Sequence, residues 1–395
     1  VSQVPESILV VDDDDFSREY LLLLLGTAGY QVREAADGSS ALSSLRSDMP
    51  DLILLDIVMP GRDGLDVCRE IKADEMLKNI PVIFLSSRSE VQDKIAGLEV
   101  GGSDYIPKPF DAGEVLARVR VHLKLQNLTS ELRQANQELI LKQERIDQDL
   151  IAAGRIQQSL LPRGNPAPEV VDIAWKCQAS QWVGGDIFNL VQLGPDHIGF
   201  YILDVSGHGV HSALVAVSAF QSLLPQGGYV LKTGENPVPV PPGEVLARLD
   251  TQFPIDLYEQ FFTIFYLVLN TATGEVRYSS AGHPPGILLA ASGEVTLMDK
   301  GGSFIGLGGI VPFEEGSCRL FPGDRVILYT DGLTEYENGA GDFYGSARFH
   351  TRLRELSSKP LQEIVDGVWK SAFVFGAGRP PLDDISLLGI TYLGG

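Results

Sequence analysis

Apolar residues along this chain fall into three regimes. Between residues 7 and 121 they come in short unbroken runs, at 8–11, 52–55, 82–85 and 105–106. Amphipathic stretches lie between and after these runs, at 17–27, 38–47, 65–74, 91–100 and 111–123. Continuous rather than alternating apolar runs predict strands buried on both faces, and their alternation with helices predicts a doubly wound parallel sheet. Residues 121–162 carry instead a stripe: Leu125, Leu128, Leu132, Ala135 and Leu139, then Ile146, Leu150 and Ala153. Steps of three and four as far as Leu139 are the seam of a coiled coil. Lys142 breaks the seam, and the shifted spacing after Ile146 predicts a local change in winding. The expectation is one helix of about 40 residues, ~60 Å long at 1.5 Å per residue, ending at Ser159-Leu160-Leu161 before Pro162. Such a helix has no core of its own and needs a partner.

Beyond Pro162, proline and glycine punctuate runs that predict strands at 172–178, 198–204, 262–270, 276–280, 287–289, 295–298, 325–329 and 385–390. Helical patches fall at 212–224, 242–251, 347–356 and 361–372, and the Pro- and Gly-rich 227–242 segment predicts a surface loop. Strands with helices grouped between them predict an α+β sandwich. The predicted organisation is a domain at 1–121, a helical linker at 122–162 and a second domain at 163–395.

A formal charge of −21, from 52 acidic and 31 basic residues, disfavours a nucleic-acid-binding surface and suits carboxylates that hold metal ions. Three scattered cysteines, Cys68, Cys177 and Cys318, give neither a disulfide framework nor a zinc pattern, so a reducing cytoplasm is expected. The opening residues lack a leader pattern, and the leucine run at 21–25 is too short to span a bilayer, so no membrane partner is expected.

In the first domain the polar residues sit where strands end, the edge at which open α/β sheets bind ligands. Asp12, Asp13 and Asp56 would converge there with Ser86 and Lys108. Three carboxylates repel one another unless a cation intervenes, and Mg²⁺ suits hard oxygen ligands and an incoming phosphate. Lys108 would meet phosphoryl oxygens, Ser86 would donate a hydrogen bond, and the Asp56 carboxylate would attack phosphorus. The motifs VVDD at 10–13, LLDIVMPGRDG at 54–64, FLSS at 84–87 and DYIPKPF at 104–110 resemble the receiver domain of two-component response regulators. The resemblance implies a flavodoxin-like fold, phosphorylation of Asp56 by a histidine kinase or small phosphodonor, Ser86 as the switch hydroxyl and Tyr105 as the switch aromatic. Asp14 and Asp15 extend the acidic run beyond the family's usual pair.

In the second domain Asp186, Asp204, Asp331 and the pair Asp383-Asp384 stand at strand ends beside glycine, another acid or a turn. Any one alone fits a turn. Four such places without basic neighbours predict a site for two oxygen-ligated ions, Mg²⁺ or Mn²⁺, able to activate a water against phosphorus. The helix end Ala153-x-x-Ile156-Gln157-x-x-Leu160-Leu161-Pro162, with DVSGHG at 204–209, SAGHPP at 280–285, TDGLTE at 330–335 and DDISLL at 383–388, resembles the PP2C-type Ser/Thr phosphatases of the SpoIIE and RsbU branch. That resemblance implies Asp186 and Asp204 as central ligands, the carbonyl of Val205 as a backbone ligand, and Asp331 and Asp383 for the second ion, with Asp384 an alternative to Asp383. Ile187, Phe188 and Asn189 depart from the family pattern and put substrate contacts there in question. His208 and His283 serve as readily as structural hydrogen bonders as general acids, and neither is assigned.

Together the resemblances imply a response regulator whose output is a protein serine phosphatase acting on a phosphorylated STAS-type anti-sigma antagonist. The long helix would carry the signal and pair as a parallel homodimer. The same layout is similar to RssB-type regulators, which present the stationary-phase sigma factor (sigma-S) to a protease; there the phosphatase-like domain is a docking surface.

Overall fold

The computed structural model describes residues 5–86, 91–162, 164–232 and 237–394. It divides into two compact units, residues 1–142 and 143–395.

The first unit contains β1 (Ser7–Val11), α1 (Asp15–Thr27), β2 (Gln31–Ala35), α2 (Gly38–Ser47) and β3 (Leu52–Asp56). It continues with α3 (Gly64–Ala73), β4 (Val82–Ser86), α4 (Val91–Glu99), β5 (Asp104–Pro107) and the start of α5 (Ala112–Gln158). The sheet is parallel, in the order β2-β1-β3-β4-β5. The unbroken apolar runs have the reason expected of them. Leu9, Val11, Ile53, Leu55, Val82 and Phe84 enter one core. Their alternates Ile8, Val10, Leu52, Leu54, Ile83 and Leu85 enter the other. β1 is flanked by β2 and β3, so the strand order reverses there and opens a crevice at the carboxyl ends of β1 and β3. The apolar pattern missed β2, an edge strand of sequence QVREA in which only Ala35 is buried. Asp14, the extra acid, caps α1 by accepting from Ser17 N. Ser87 of the FLSS motif lies outside the described residues.

The helices expected at 111–123 and 121–162 are one α-helix of 47 residues, ~70 Å long. Asp111 accepts from Glu114 N at 2.9 Å at its start, and no breaker follows. The break in the stripe at Lys142 does not interrupt it. Val115, Val119 and Leu123 are buried in the first unit's core. Leu125, Leu128, Leu132 and Leu139 are each more than half exposed.

After α5 come β6 (Val171–Gln178), β7 (Ile187–Gln192), β8 (His197–Val205), α6 (Val210–Ser222), β9 (Leu231–Lys232) and β10 (Val238–Pro239). Then follow α7 (Pro242–Gln252), α8 (Ile255–Tyr258), β11 (Phe262–Asn270), β12 (Glu275–Ala281), β13 (Gly286–Leu289) and β14 (Val295–Met298). The chain continues through β15 (Gly301–Gly302), β16 (Gly316–Arg319), β17 (Arg325–Tyr329) and α9 (Asp331–Thr334). It closes with α10 (Gly345–Leu356), α11 (Leu361–Phe375) and β18 (Ile385–Tyr392). One sheet runs β15-β12-β11-β8-β7 with β16 beside β12; the other runs β14-β13-β17-β18-β6. Val326, Leu328, Leu388 and Ile390 of the second sheet share a core with β8 and β11 of the first, together with α6 and α7. Their alternates Ile327, Tyr329 and Leu387 pack with α10 and α11. The result is the expected sandwich, with helices outside each sheet. The 227–242 segment is not wholly a surface loop: Val230 and Val240 are fully buried in the sandwich core.

Candidate functional site

Two acidic sites form, one in each unit. In the first, Asp12 directly follows β1 and Asp56 ends β3, both buried, while Asp13 is exposed. Each offers one carboxylate oxygen, and these lie within 4.8 Å of one another. Gly64 makes the neighbouring turn possible, since a Cβ there would lie 2.0 Å from the Asp56 carbonyl oxygen. Lys108, just past β5, sets its Nζ 2.7 Å from Asp12 Oδ2 and 2.6 Å from Asp56 Oδ2. Burial pushes the Asp56 carboxyl up, and Lys108 partly offsets this. Ser86 ends β4 and is buried, and Tyr105 lies on β5 with the Arg118 guanidinium 5.5 Å from its ring centre. All five expected residues and Tyr105 therefore belong to one edge of one sheet. Three acids with a lysine fit a hard cation and a phosphoryl group.

In the second unit Asp186 precedes β7, Asp204 lies near the end of β8, Asp331 opens α9 after β17, and Asp383 and Asp384 precede β18. The glycines beside them explain how these segments meet. A Cβ on Gly185 would lie 2.6 Å from the Val205 carbonyl oxygen, and one on Gly332 would lie 2.0 Å from that of Asp384. Only glycine lets these backbones approach so closely. The acids feel one another. Burial, then the charges of Asp204 and Asp384, hold Asp186 well above the usual carboxylate range. Burial, then Asp331, Asp383 and Asp384, push Asp204 up to about 8. Asp383 is raised as well, first by burial. Among the described residues no Lys or Arg forms an ion pair with any of the five. Asp186 Oδ1 is buried without a hydrogen-bond partner. A buried, unpartnered oxygen amid mutually repelling carboxylates fits hard divalent cations.

The two adjacent aspartates differ. Asp384 Oδ1 accepts from Ser180 N at 2.7 Å and Ser180 Oγ at 3.0 Å, and its Oδ2 accepts from Gly185 N at 2.5 Å. Among the described residues Asp383 Oδ1 accepts only from Asp384 N, at 2.8 Å. The sequence pattern did not separate these roles. It also gave no role to Thr330, whose hydroxyl donates to Asp186 Oδ2 at 2.8 Å, or to Gln157, whose amide exchanges hydrogen bonds with Gly184 N and O. A hydroxyl ending a buried strand just before Asp331 was the available signal for Thr330. Ile187 and Phe188 are fully buried in the core, which accounts for those two residues of the departure as packing but not for Asn189. His208 is exposed, its Nδ1 3.0 Å from Gln181 Nε2. His283 is buried against Thr263 Oγ1 at 2.7 Å, and burial lowers it to about 3, so it stays a neutral imidazole rather than the imidazolium a general acid needs. Beside the cluster lie a cavity of about 370 Å³, lined by Trp175, Trp182, Asp186 and Asp384, and another of about 300 Å³, lined by Glu335, Arg379 and Asp383.

Residues 194–393 match the family model for stage II sporulation protein E (SpoIIE), about half of the chain. The chain belongs to the SpoIIE family. Residues 8–120 of this SpoIIE-family protein match the response regulator receiver domain, so a receiver is joined to a SpoIIE-type phosphatase domain. Over 121 residues it is 45% identical to the response regulator MprA of Mycolicibacterium vanbaalenii, covering 31% of this chain and 52% of that protein. It is 42% identical over 119 residues to the DNA-binding response regulator MtrA of Mycolicibacterium smegmatis, covering 30% and 51%. The chain spans about half the length of these curated relatives. The SiaA-PP2C domain of Pseudomonas aeruginosa has the same fold, with 22% identity, a TM-score of 0.55, and coverage of 64% of this chain and 98% of that one. Among the described residues no helix is long and apolar enough to cross a membrane.

Proposed function

We propose that this chain is a cytoplasmic response regulator in which phosphorylation of Asp56 controls a metal-dependent phosphoserine phosphatase. The observation that carries the reading is the mutual repulsion that links Asp186, Asp204, Asp331 and Asp383 with no Lys or Arg ion pair among the described residues, together with a buried Asp186 oxygen that none of them satisfies. Asp186, Asp204, the Val205 carbonyl, Asp331 and Asp383 would hold two Mn²⁺ or Mg²⁺ ions; Asp384, which accepts from Ser180 and Gly185, would hold the Asp186 loop instead. When bound, such ions supply a water nucleophile at neutral pH and neutralise developing phosphoryl charge. The chain's own part is to hold these carboxylates together and aimed. In the receiver Asp12, Asp13 and Asp56 would hold Mg²⁺, with Lys108 and Ser86 meeting the phosphoryl oxygens on Asp56. Helix α5 runs unbroken from one unit into the other, which supports its role as carrier of the signal. Its exposed leucine stripe supports a parallel homodimer, to be read as a dimeric mass by light scattering at micromolar concentration. The substrate suggested by the family resemblance is a phosphorylated STAS-type anti-sigma antagonist.

The test is hydrolysis of p-nitrophenyl phosphate by the purified chain with Mn²⁺. Activity in the wild type that Asp204→Ala abolishes supports the reading. Full activity in that variant overturns the metal site. No hydrolysis, with stable capture of the stationary-phase sigma factor, replaces the enzyme by an RssB-type adaptor.

A further inference from the structure

Asp186 is the most deeply buried of the four carboxylates expected to hold metal in the second unit, and its Oδ1 has no hydrogen-bond partner among the described residues. Ser386 and Thr330 both bring hydroxyls to Asp186, and Thr330 donates directly to one of its oxygens. Thr330 is fully buried at the end of β17, one residue before Asp331. Its backbone N donates to the Ser386 carbonyl at 3.1 Å, and Ser386 N donates to Thr330 Oγ1 at 2.9 Å. The N–H of Ser386 therefore occupies an acceptor site on that oxygen. A threonine hydroxyl has only one proton to give, and it goes to Asp186 Oδ2, 2.8 Å away. Oδ1 is left facing the cluster without a partner. Thr330 thus ties three segments that are far apart in the chain: the Asp186 turn before β7, the Thr330-Asp331 end of β17, and the Asp383–Ser386 entry to β18.

We infer that Thr330 is the positioning residue that pre-forms the metal site, by orienting Asp186 through a hydroxyl whose direction Ser386 sets. The inference rests on the metal-dependent reading of these same acids. Partners that orient a ligand typically change metal affinity by about 10–100-fold. Valine matches threonine in shape but cannot donate; serine donates but lacks the methyl.

The experiment is a Mn²⁺ binding isotherm on the full chain for wild type, Thr330→Val and Thr330→Ser, with hydrolysis of p-nitrophenyl phosphate followed across the same titration. Thr330→Val is expected to raise the Mn²⁺ dissociation constant by about 10–100-fold, with turnover recovering at saturating Mn²⁺. Thr330→Ser is expected to bind as wild type does. Wild-type affinity in a folded Thr330→Val overturns the inference and leaves the phosphatase reading intact. Should the valine variant fail to fold, the serine variant decides: a weakened affinity there shows that the methyl, not the hydroxyl, matters, and overturns it too. A wild type that binds no Mn²⁺ at the cluster removes both.

Discussion

The two acidic sites of this chain solve one electrostatic problem in opposite ways. In the receiver, Asp12 and Asp56 are buried, but Lys108 reaches both carboxylates, so negative charge is partly balanced from within. In the SpoIIE-type unit five carboxylates gather with no Lys or Arg ion pair among the described residues, and the folded unit responds by holding Asp186, Asp204 and Asp383 in the protonated direction. The difference is instructive. A site that carries its own cation can rest without metal, whereas a site built only of acids stores repulsion that an external cation must relieve.

The largest expected effect follows from removing the acid on which most of that repulsion converges. Asp204→Ala should lower Mn²⁺-dependent hydrolysis of p-nitrophenyl phosphate by more than the ~100-fold typical of losing a ligand's supporting partner. A smaller loss in steady-state rates would mean that Asp204 is no ligand. Next, Lys108→Ala leaves two buried carboxylates unbalanced in the receiver. It should cost about 3 kcal/mol of stability, partly restored by Mg²⁺, in a urea transition followed by circular dichroism. That transition should leave tryptophan fluorescence unchanged, because Trp175, Trp182 and Trp369 all lie in the second unit. A stable Lys108→Ala receiver would erase the contrast between the sites. The smallest effect separates neighbours. Asp384→Asn leaves either the Gly185 or the Ser180 N–H facing an amide donor, and should cost the metal-free second unit about 1–3 kcal/mol. Asp383→Asn should instead weaken Mn²⁺ binding while leaving the metal-free denaturation midpoint near that of wild type. The reverse outcome would exchange their roles.

How legible the molecule was from its sequence depended on distance along the chain. Unbroken runs such as residues 52–55 announced strands buried on both sides, and acids beside glycine announced the strand ends that carry them. β2, β7 and β16 were not read: QVREA and GSCR lie at sheet positions with little apolar signal, and IFNLVQ follows a glycine turn that masked it. Two expected helices merged into α5 because nothing between residues 112 and 158 interrupts backbone hydrogen bonding. Val230 and Val240 were assigned to a loop by their proline-rich surroundings, yet the core recruits both. Within the site, the hydroxyl of Thr330 meets Asp186 across 144 positions, and Asp384 meets Gly185 across 199. No local pattern encodes such pairings; they appear only when the sandwich closes.

The central claim is that the second unit's acids need divalent cations while the receiver's do not to the same degree. A carboxyl whose folded value is raised to about 8 binds more protons folded than unfolded, so the metal-free unit loses stability as pH rises from about 4 through about 8. The most direct test is thermal melting followed by tryptophan fluorescence, in EDTA and in Mn²⁺, at pH 6 and pH 8. The account predicts a midpoint in EDTA that falls between pH 6 and pH 8, a rise with Mn²⁺ that is larger at pH 8, and loss of that rise in Asp204→Ala. Midpoints that are the same with and without Mn²⁺ at both pH values would contradict it.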